Sequence, residues 1–234
     1  MRTALLRRVQ RIFLLICFLI VIGMAGRLAQ AAGLRVEDVS GAWRALHIPF
    51  LERLSRPRVA LISGHAGSDS GAICTDTAGE LLLTEAEINA DITQRVAQKL
   101  RRRGVHVLVL NEYDERLSAL QADVLLSLHS DSCIDASGYK AAVSEKNRLP
   151  QQEEMLLACI DTHYAEQTGL AYHPYTVTHD MLGYYAFNRI PATVPAAILE
   201  MGFLGGDQTL LTQQPDRVAE GIRASLSCYL ESRL

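Results

Sequence analysis

The sequence predicts a single α/β domain with three layers: a mostly parallel, twisted sheet with helices on both of its faces. An N-terminal signal or anchor helix is expected to precede this domain. Two observations carry the prediction. Short runs rich in valine, isoleucine and leucine, typical of strands buried on both faces, alternate along the chain with longer segments of helical periodicity. This alternation is typical of strands joined by crossover helices.

The chain begins with the features of an export signal. Four arginines within residues 1–11 precede an uncharged apolar stretch at residues 12–26, and an A-x-A sequence ends at Ala31. The apolar stretch is shorter than the roughly 20 residues that a membrane-spanning helix prefers. Residues 1–31 are therefore expected to be either a cleaved signal peptide or an uncleaved membrane anchor. Both alternatives place the rest of the protein outside the cytoplasm, in the periplasm or at the cell surface.

The charge of the exported part argues against nucleic acid as a partner. Six of the 23 basic residues and none of the 26 acidic ones precede residue 36, so the remainder has 17 basic and 26 acidic residues, a formal net charge of −9. Nucleic-acid-binding domains need a basic footprint. Residues 32–56 are expected to form a linker or stalk. Residues 57–234 are long enough for one domain with a sizeable core.

Three predicted strands end in residues that bind metals or transfer protons. The first, Val59–Ile62, leads into a turn of small residues that leaves His65 at the strand's C-terminal end. Two later apolar runs end in His129 and in Glu200. The C-terminal ends of parallel strands share one edge of the sheet, where open α/β sheets bind their ligands. We therefore expect these three side chains to meet.

A helix is predicted from Thr84 as N-cap to Arg103, with Glu87 completing a capping box. At 100° per residue, Glu85 falls on the line of the apolar residues that face the sheet, whereas Glu87 points about 160° away. Those apolar residues are Ile88, Ile92, Val96 and Leu100. A carboxylate aimed at the interior needs a cation or hydrogen-bond donors. Glu85 is thus expected to bind a metal or, alternatively, to accept backbone amides of the preceding loop.

The remaining elements follow in the order of an α/β domain. A second strand is predicted at residues 105–110, and the third is the run that ends at His129. A short strand at residues 138–143 is expected at the sheet edge. Helices are predicted at residues 151–168 and from Pro215, which suits the first turn of the last helix.

The cysteines support an oxidising compartment. Cys74 and Cys133 follow the two histidine-bearing strands, so their loops should meet, and a disulfide between them is expected. Cys159 and Cys228 lie on apolar helix faces, where an unpaired cysteine acts as a small core residue. The sequence leaves open whether those two pair.

The chemistry of the candidate residues indicates a catalytic zinc site. Two imidazoles and one carboxylate, from His65, His129 and Glu85, form a three-ligand set that leaves one position open for water, whose pKa zinc lowers. Glu200 at the neighbouring strand end is a candidate general acid/base. A substrate groove beside the metal is expected to include His179, Asn89 and Asp131.

Four motifs in this order resemble the zinc-dependent N-acetylmuramoyl-L-alanine amidases of the Amidase_3 type, over about residues 57–232. They are the Gly-His-x-Gly turn at His65, Glu85 followed by Asn89, Ser127-Leu-His129, and Glu200-Met-Gly-Phe203. The resemblance implies that His65, Glu85 and His129 bind one Zn²⁺ and that Glu200 is catalytic. It further implies a peptidoglycan hydrolase that cleaves the amide between N-acetylmuramic acid and L-alanine.

The sequence also departs from the pattern of that family. Asn111-Glu112 stands where the family usually has Thr-Arg, and the stretch from Leu110 to Asp123 is short, which puts the shape of the substrate groove in doubt. Two alternative functions remain open. One is a non-catalytic cell-wall-binding or regulatory domain of the same fold, and the other is a zinc peptidase or deacetylase acting on another cell-wall bond. The sequence identifies no protein activator.

Overall fold

A computed structural model describes residues 56–146 and 148–233, together with Ile16 and Ile20 of the N-terminal segment. The predicted signal or anchor at residues 1–31 and the linker at residues 32–56 therefore lie almost wholly outside the described residues. Among the residues that the structure describes, no helix is long and apolar enough to cross a membrane.

The elements from residue 56 onward alternate between strands and helices, as the sequence predicts. The strands are β1 (Arg58–Ser63), β2 (Ile73–Thr75), β3 (Leu81–Thr84), β4 (His106–Leu110), β5 (Val124–Asp131), β6 (Lys140–Ala142) and β7 (Ala196–Phe203). The α-helices are α1 (Glu85–Arg102), α2 (Pro150–Thr168), α3 (His179–Leu182), α4 (Tyr185–Arg189), α5 (Gln208–Gln213) and α6 (Pro215–Ser232). Two short 3₁₀ helices cover Glu115–Ala119 and Pro174–Thr176.

The central sheet has five strands in the order β4-β1-β5-β7-β6. The first four run parallel, and β6 pairs antiparallel with β7 at one edge. The prediction of a mostly parallel sheet with a short edge strand is confirmed. Because β1 and β5 are central neighbours, the turn after β1 lies directly beside the C-terminal end of β5.

Both faces of the sheet are covered, but unequally. Val59 and Leu61 of β1 pack into one buried cluster, which includes residues of the three long helices α1, α2 and α6. Ala60 and Ile62 point the other way, into a cluster closed by short helices and connecting segments, among them α3 and α4. The strand is apolar at successive positions because both faces of the sheet exclude water.

The start of α1 confirms Thr84 as N-cap, since the N–H of Glu87 donates to Thr84 Oγ1 at 3.3 Å. The capping box differs from the prediction, because the Glu87 carboxylate accepts the Thr84 hydroxyl at 3.0 Å rather than the Thr84 N–H. Two other details differ. The stretch between β1 and α1, for which the sequence predicts no strand, contains the antiparallel hairpin β2–β3. The interpretation that the apolar strands end at His129 and at Glu200 is wrong, because β5 continues to Asp131 and β7 continues to Phe203. Met201 and Phe203 are apolar and buried, which favours the longer strand.

Two disulfides join distant parts of the domain. Cys74 of β2 is bonded to Cys133, which follows β5, with a Cα–Cα distance of 5.4 Å. Cys159 of α2 is bonded to Cys228 of α6, with a Cα–Cα distance of 5.8 Å. The alternative in which Cys159 and Cys228 are unpaired core residues is wrong, because α2 and α6 pack side by side and bring the two sulfurs together.

Candidate metal and catalytic site

Three side chains converge at the C-terminal edge of the sheet. His65 follows β1 directly, Glu85 is the first residue of α1, and His129 lies near the end of β5. Their potential ligand atoms all lie within 4.8 Å of one another. Segments that are 20 and 44 residues apart in sequence thus meet, because β1 and β5 are adjacent and α1 starts at the same edge.

Glu85 occupies the centre of this group. Its Oε2 lies 3.2 Å from His65 Nε2 and accepts the N–H of Ala72 at 3.0 Å. Its Oε1 lies 3.1 Å from His129 Nδ1 and accepts the N–H of Ser130 at 3.2 Å. The two roles that the sequence left open for Glu85 therefore coexist: the carboxylate faces both imidazoles and also accepts loop amides.

Two glycines allow the group to be this close. A Cβ on Gly64 would lie 2.6 Å from the ring of His129. A Cβ on Gly71 would lie 2.6 Å from Glu85 Oε2 and 2.7 Å from His65 Cδ2, and Gly71 also has a φ of +62°. Any larger residue at either position would push a candidate ligand away. The turn of small residues is thus a steric requirement of the site.

The three side chains hold one another in their charged forms. The hydrogen bond to Glu85 raises the pKa of His65 to about 9, and Asp69 adds to this effect. Burial alone would lower the pKa of His129, but the hydrogen bond with Glu85 and the charges of Glu200 and Glu112 raise it. Burial alone would raise the pKa of Glu85, but its hydrogen bonds with both histidines hold it well below its usual range. A divalent cation would take the place of the imidazole protons.

The arrangement fits zinc. Two neutral imidazoles and a carboxylate are the donor set of many catalytic zinc sites. His65 Nδ1 lies 2.6 Å from Asp69 Oδ1, so its other ring nitrogen is free to face the group. Ligating histidines usually bond a carboxylate through their second nitrogen in this way. His65 Nε2, the carboxylate of Glu85 and His129 Nδ1 would hold the ion.

Glu200 lies beside this group, within β7. It is the register partner of His129 on β5 and of Lys140 on β6. Its Oε2 is buried and has no hydrogen-bond partner within the described part of the chain. Burial raises the pKa of Glu200 to about 7, and the negative charges of Glu85 and Asp131 act in the same direction. A part-buried carboxylate with a raised pKa and an unpaired oxygen is suited to accept and return a proton.

The prediction that Asn89 lines a substrate groove is wrong, because its side chain is fully buried. Asn89 Nδ2 donates to the carbonyl oxygen of Gly64 at 3.2 Å and to Glu85 Oε1 at 3.1 Å, and Oδ1 accepts the hydroxyl of Ser130 at 3.0 Å. Asn89 lies one helical turn after Glu85 and so shares its inward face. It supports Glu85 rather than a substrate.

The other two groove candidates have different surroundings. Asp131, the last residue of β5, is half-buried and forms an ion pair with Lys140. Lys140 also donates to the carbonyl oxygen of Thr176 at 2.8 Å. His179 is exposed and begins α3, which Thr178 caps. A role for Asp131 or His179 in substrate binding stays a prediction.

Sequence reasoning missed Glu112 and Tyr184. Both are buried beside the histidines, and the Tyr184 hydroxyl donates to Glu112 Oε1 at 2.8 Å. The sequence draws attention to Glu112 only because Asn111-Glu112 stands where the family usually has Thr-Arg. That difference indicates a change in groove shape but not a contact with the histidines. Tyr184 carries no motif, and only the packing of the segment before α4 against β5 brings it here.

Comparisons with known proteins agree with the geometry. The family model described as N-acetylmuramoyl-L-alanine amidase matches residues 59–227. A Bacillus subtilis (strain 168) relative, the uncharacterized protein YqiI, is 33% identical over 97 residues, covering 37% of this chain. The match spans 44% of that relative, less than half of its length.

Solved structures share the fold. Ami1, the N-acetylmuramyl-L-alanine amidase from Mycobacterium smegmatis, aligns with a TM-score of 0.61 at 17% identity, covering 76% of this chain and 100% of Ami1. The catalytic domain of the amidase CwlV from Bacillus (Paenibacillus) polymyxa var. colistinus aligns with a TM-score of 0.57 at 20% identity, covering 75% and 98%. At such identities the likeness concerns the fold. The family match extends over most of the domain, and this chain belongs to the N-acetylmuramoyl-L-alanine amidase family.

Proposed function

We propose that this protein is an exported, zinc-dependent peptidoglycan amidase. Its substrate would be the amide that joins the lactyl group of N-acetylmuramic acid to L-alanine of the stem peptide. Membership of the amidase family supports this substrate. The single observation that carries catalysis is the part-buried Glu200 carboxylate, which lies in register with His129 and whose buried Oε2 has no hydrogen-bond partner among the described residues.

His65, Glu85 and His129 would bind the zinc. When bound, zinc supplies a Lewis acid that polarises the scissile carbonyl and makes a water molecule more acidic. The protein's own contribution is to fix the three ligands, through the glycines at 64 and 71 and the hydrogen bonds of Asn89. It also places the site at the C-terminal edge of the sheet, where the side chain of His65 is partly exposed.

Glu200 would carry the proton through the reaction. As water adds to the lactyl carbonyl carbon, the Glu200 carboxylate takes one of its protons. The bond between that carbon and the alanine nitrogen then breaks, and Glu200 returns the proton to the leaving amine. The products are a free lactyl carboxylate on the glycan and a stem peptide with a free L-alanine amino terminus. A pKa near 7 suits both halves of this exchange.

The N-terminal segment would deliver the enzyme to its substrate. Residues 1–31 are proposed to act as a signal peptide or a membrane anchor, and residues 32–56 as the linker to the catalytic domain at residues 57–234. Two disulfides within the domain support an oxidising compartment outside the cytoplasm.

The test is to incubate the zinc-loaded protein with purified muropeptides and to identify the new termini by mass spectrometry. An amidase gives a free N-terminal L-alanine and a newly freed lactyl carboxylate on an uncut glycan. A peptidase gives new termini within the stem peptide, and a deacetylase releases acetate. A binding domain retains the muropeptides and leaves them uncut. Any of the last three results would contradict the proposal.

A further inference from the structure

Glu112 lies beside the two histidines but is not one of the proposed zinc ligands. Its side chain is 5% exposed and follows the end of β4. Since the amidase pattern has Thr-Arg where this chain has Asn111-Glu112, the resemblance assigns this carboxylate no role. A buried carboxylate is costly without partners. Each of the two carboxylate oxygens of Glu112 accepts a hydrogen bond.

One oxygen of Glu112 holds the backbone of His65. Glu112 Oε2 accepts the N–H of His65 at 2.8 Å, and the N–H of Glu112 donates to the carbonyl oxygen of Ala66 at 3.0 Å. His65 has a φ of +64°, in the left-handed region that residues other than glycine rarely adopt. Glu112 therefore stabilises the strained conformation that directs the His65 ring towards Glu85.

The same oxygen faces the ring of His129. Because Nδ1 of His129 faces Glu85, the ring proton of the neutral ligand would reside on Nε2. That Nε2 is buried, has no hydrogen-bond partner in the described part of the chain, and lies 3.5 Å from Glu112 Oε2. A small rotation of the ring would bring the pair to hydrogen-bond distance. A carboxylate at this place is the usual means of orienting a ligating histidine.

The other oxygen of Glu112 is tied to β5 through two hydroxyls. Tyr184 donates to Glu112 Oε1 at 2.8 Å, and the Tyr184 oxygen lies 2.9 Å from Ser127 Oγ. Ser127 precedes His129 by two residues on the same strand. Glu112 is thus held from the turn after β1, from the segment before α4 and from β5, which leaves its carboxylate little freedom to rotate.

We propose that Glu112 is the positioning residue of the zinc site: it fixes the backbone of His65 and the ring of His129, so that both present a nitrogen towards Glu85. This role rests on the proposed zinc amidase and adds to it a carboxylate outside the ligand set. Asp69 holds the His65 ring in the corresponding way, at 2.6 Å from its Nδ1, so the second nitrogen of each histidine faces a carboxylate.

The experiment compares the full-length protein with three variants, Glu112→Ala, Glu112→Gln and Glu115→Gln. Glu115 is the matched control, because it is an exposed glutamate three residues further along the chain. Zinc affinity is measured by competition with a chelator, and the geometry of the site by the visible absorption spectrum of the Co²⁺-loaded protein. The melting temperature of the metal-free protein reports the purely structural effect.

Glu112→Ala is expected to weaken zinc binding by about 10–100-fold, the usual range for the loss of such a partner, and to change the Co²⁺ spectrum. Glu112→Gln should weaken it by a few-fold, since an amide oxygen still accepts from His65 while the amide nitrogen can donate to Tyr184. Glu115→Gln should match the wild type. If Glu112→Ala does not fold, the zinc affinity and the Co²⁺ spectrum of Glu112→Gln test the positioning role.

The outcomes separate the two proposals. Variants with lower melting temperatures but wild-type zinc affinity and Co²⁺ spectra would show that Glu112 has only a structural role. A wild-type protein that binds zinc tightly and cleaves no muropeptide would overturn the amidase function, while a weakened Glu112→Ala site would still support the positioning role. A wild-type protein that binds neither ion would overturn both.

Discussion

His129 and Glu200 lie opposite each other on the adjacent parallel strands β5 and β7. The distance between the proposed zinc ligand and the proposed base is therefore set by strand register rather than by a loop. A slip of one residue would turn one of the two side chains to the opposite face of the sheet. The side chains of β5 and β7 are packed closely into the two buried clusters on either face of the sheet, and a slip would disrupt that packing.

Glu200→Gln should separate catalysis from folding. The amide has nearly the same size as the carboxylate but cannot accept the water's proton. Turnover of muropeptides should therefore fall by about 10²–10⁴-fold, the range typical of a lost acid/base group, with zinc content unchanged. The exposed Glu154→Gln is the control. A zinc-loaded Glu200→Gln protein that turns over near the wild-type rate would remove Glu200 from the mechanism.

Glu85→Ala and Glu87→Ala should differ sharply, although the two positions are two residues apart. Glu85→Ala removes a proposed ligand, so zinc and activity should be lost together. Glu87→Ala removes the carboxylate that accepts the Thr84 hydroxyl and keeps the N–H that donates to Thr84 Oγ1. It should therefore cost at most about 1 kcal/mol of unfolding free energy and leave zinc bound. Zinc content by elemental analysis and unfolding in urea measure both effects. The opposite pattern would place the metal on the other face of α1.

Gly71→Ala should disturb the site through steric contact. The new Cβ would meet Glu85 Oε2 at 2.6 Å, so zinc affinity should fall by more than tenfold. Gly79→Ala is the control for backbone strain, because Gly79 has a φ of +83° and no atom of the described residues lies within 4 Å of where its Cβ would be. Both variants should lose stability through backbone strain, and Gly71→Ala should lose more because of the added clash with Glu85. Only Gly71→Ala should lose zinc affinity in chelator competition. Equal affinities would mean that Glu85 can move aside.

Zinc binding should strengthen with rising pH. His65, with its pKa raised to about 9, and His129, whose pKa is also raised, must lose their protons before they can bind zinc. Below pH 9 protons compete with the ion, and the affinity should fall about tenfold or more for each unit between pH 9 and pH 7. In the metal-free protein the His65 proton instead stabilises the fold, because the pKa of His65 is higher in the folded than in the unfolded protein. Its stabilising contribution is complete below pH 6.5 and is lost as the pH rises through about 9. Affinities that stay constant from pH 7 to 9 would contradict this linkage.

Both disulfides should be found in protein recovered from outside the cytoplasm. Mass spectrometry of non-reduced digests should link the peptide of Cys74 to that of Cys133, and the peptide of Cys159 to that of Cys228. Their sequence separations of 59 and 69 residues predict that each bond contributes about 4 kcal/mol to stability. Replacing both cysteines of a pair by serine should lower the melting temperature. Free thiols at these positions in exported material would refute the pairing.

The sequence was sufficient for the features that depend on local periodicity. The phase of α1 placed Glu85 inside, and apolar runs located the strands that carry His65 and His129. The same phase would have placed Asn89 inside as well, because it lies four residues after Glu85. The helical phase therefore argues against a place for Asn89 in the substrate groove.

Features that depend on tertiary packing could not be predicted in this way. Glu112 lies just beyond a strand end, where neither helical nor strand periodicity applies, and its partners come from segments up to 72 residues away. The pairing of Cys159 with Cys228 requires α2 and α6 to be neighbours. The hairpin β2–β3 has strands of three and four residues, too short for a recognisable alternation.

The strand order has a consequence for how the protein would acquire its metal. His65 and Glu85 are close in the chain, but His129 reaches them only when β5 has paired with β1, and Glu200 joins only when β7 has paired with β5. Parallel pairing of this kind closes long loops and forms slowly. On the export route proposed above, a chain that crosses the membrane unfolded would leave the cytoplasm with its candidate ligands still apart. The ion would therefore be captured at the destination, as one of the last events of folding.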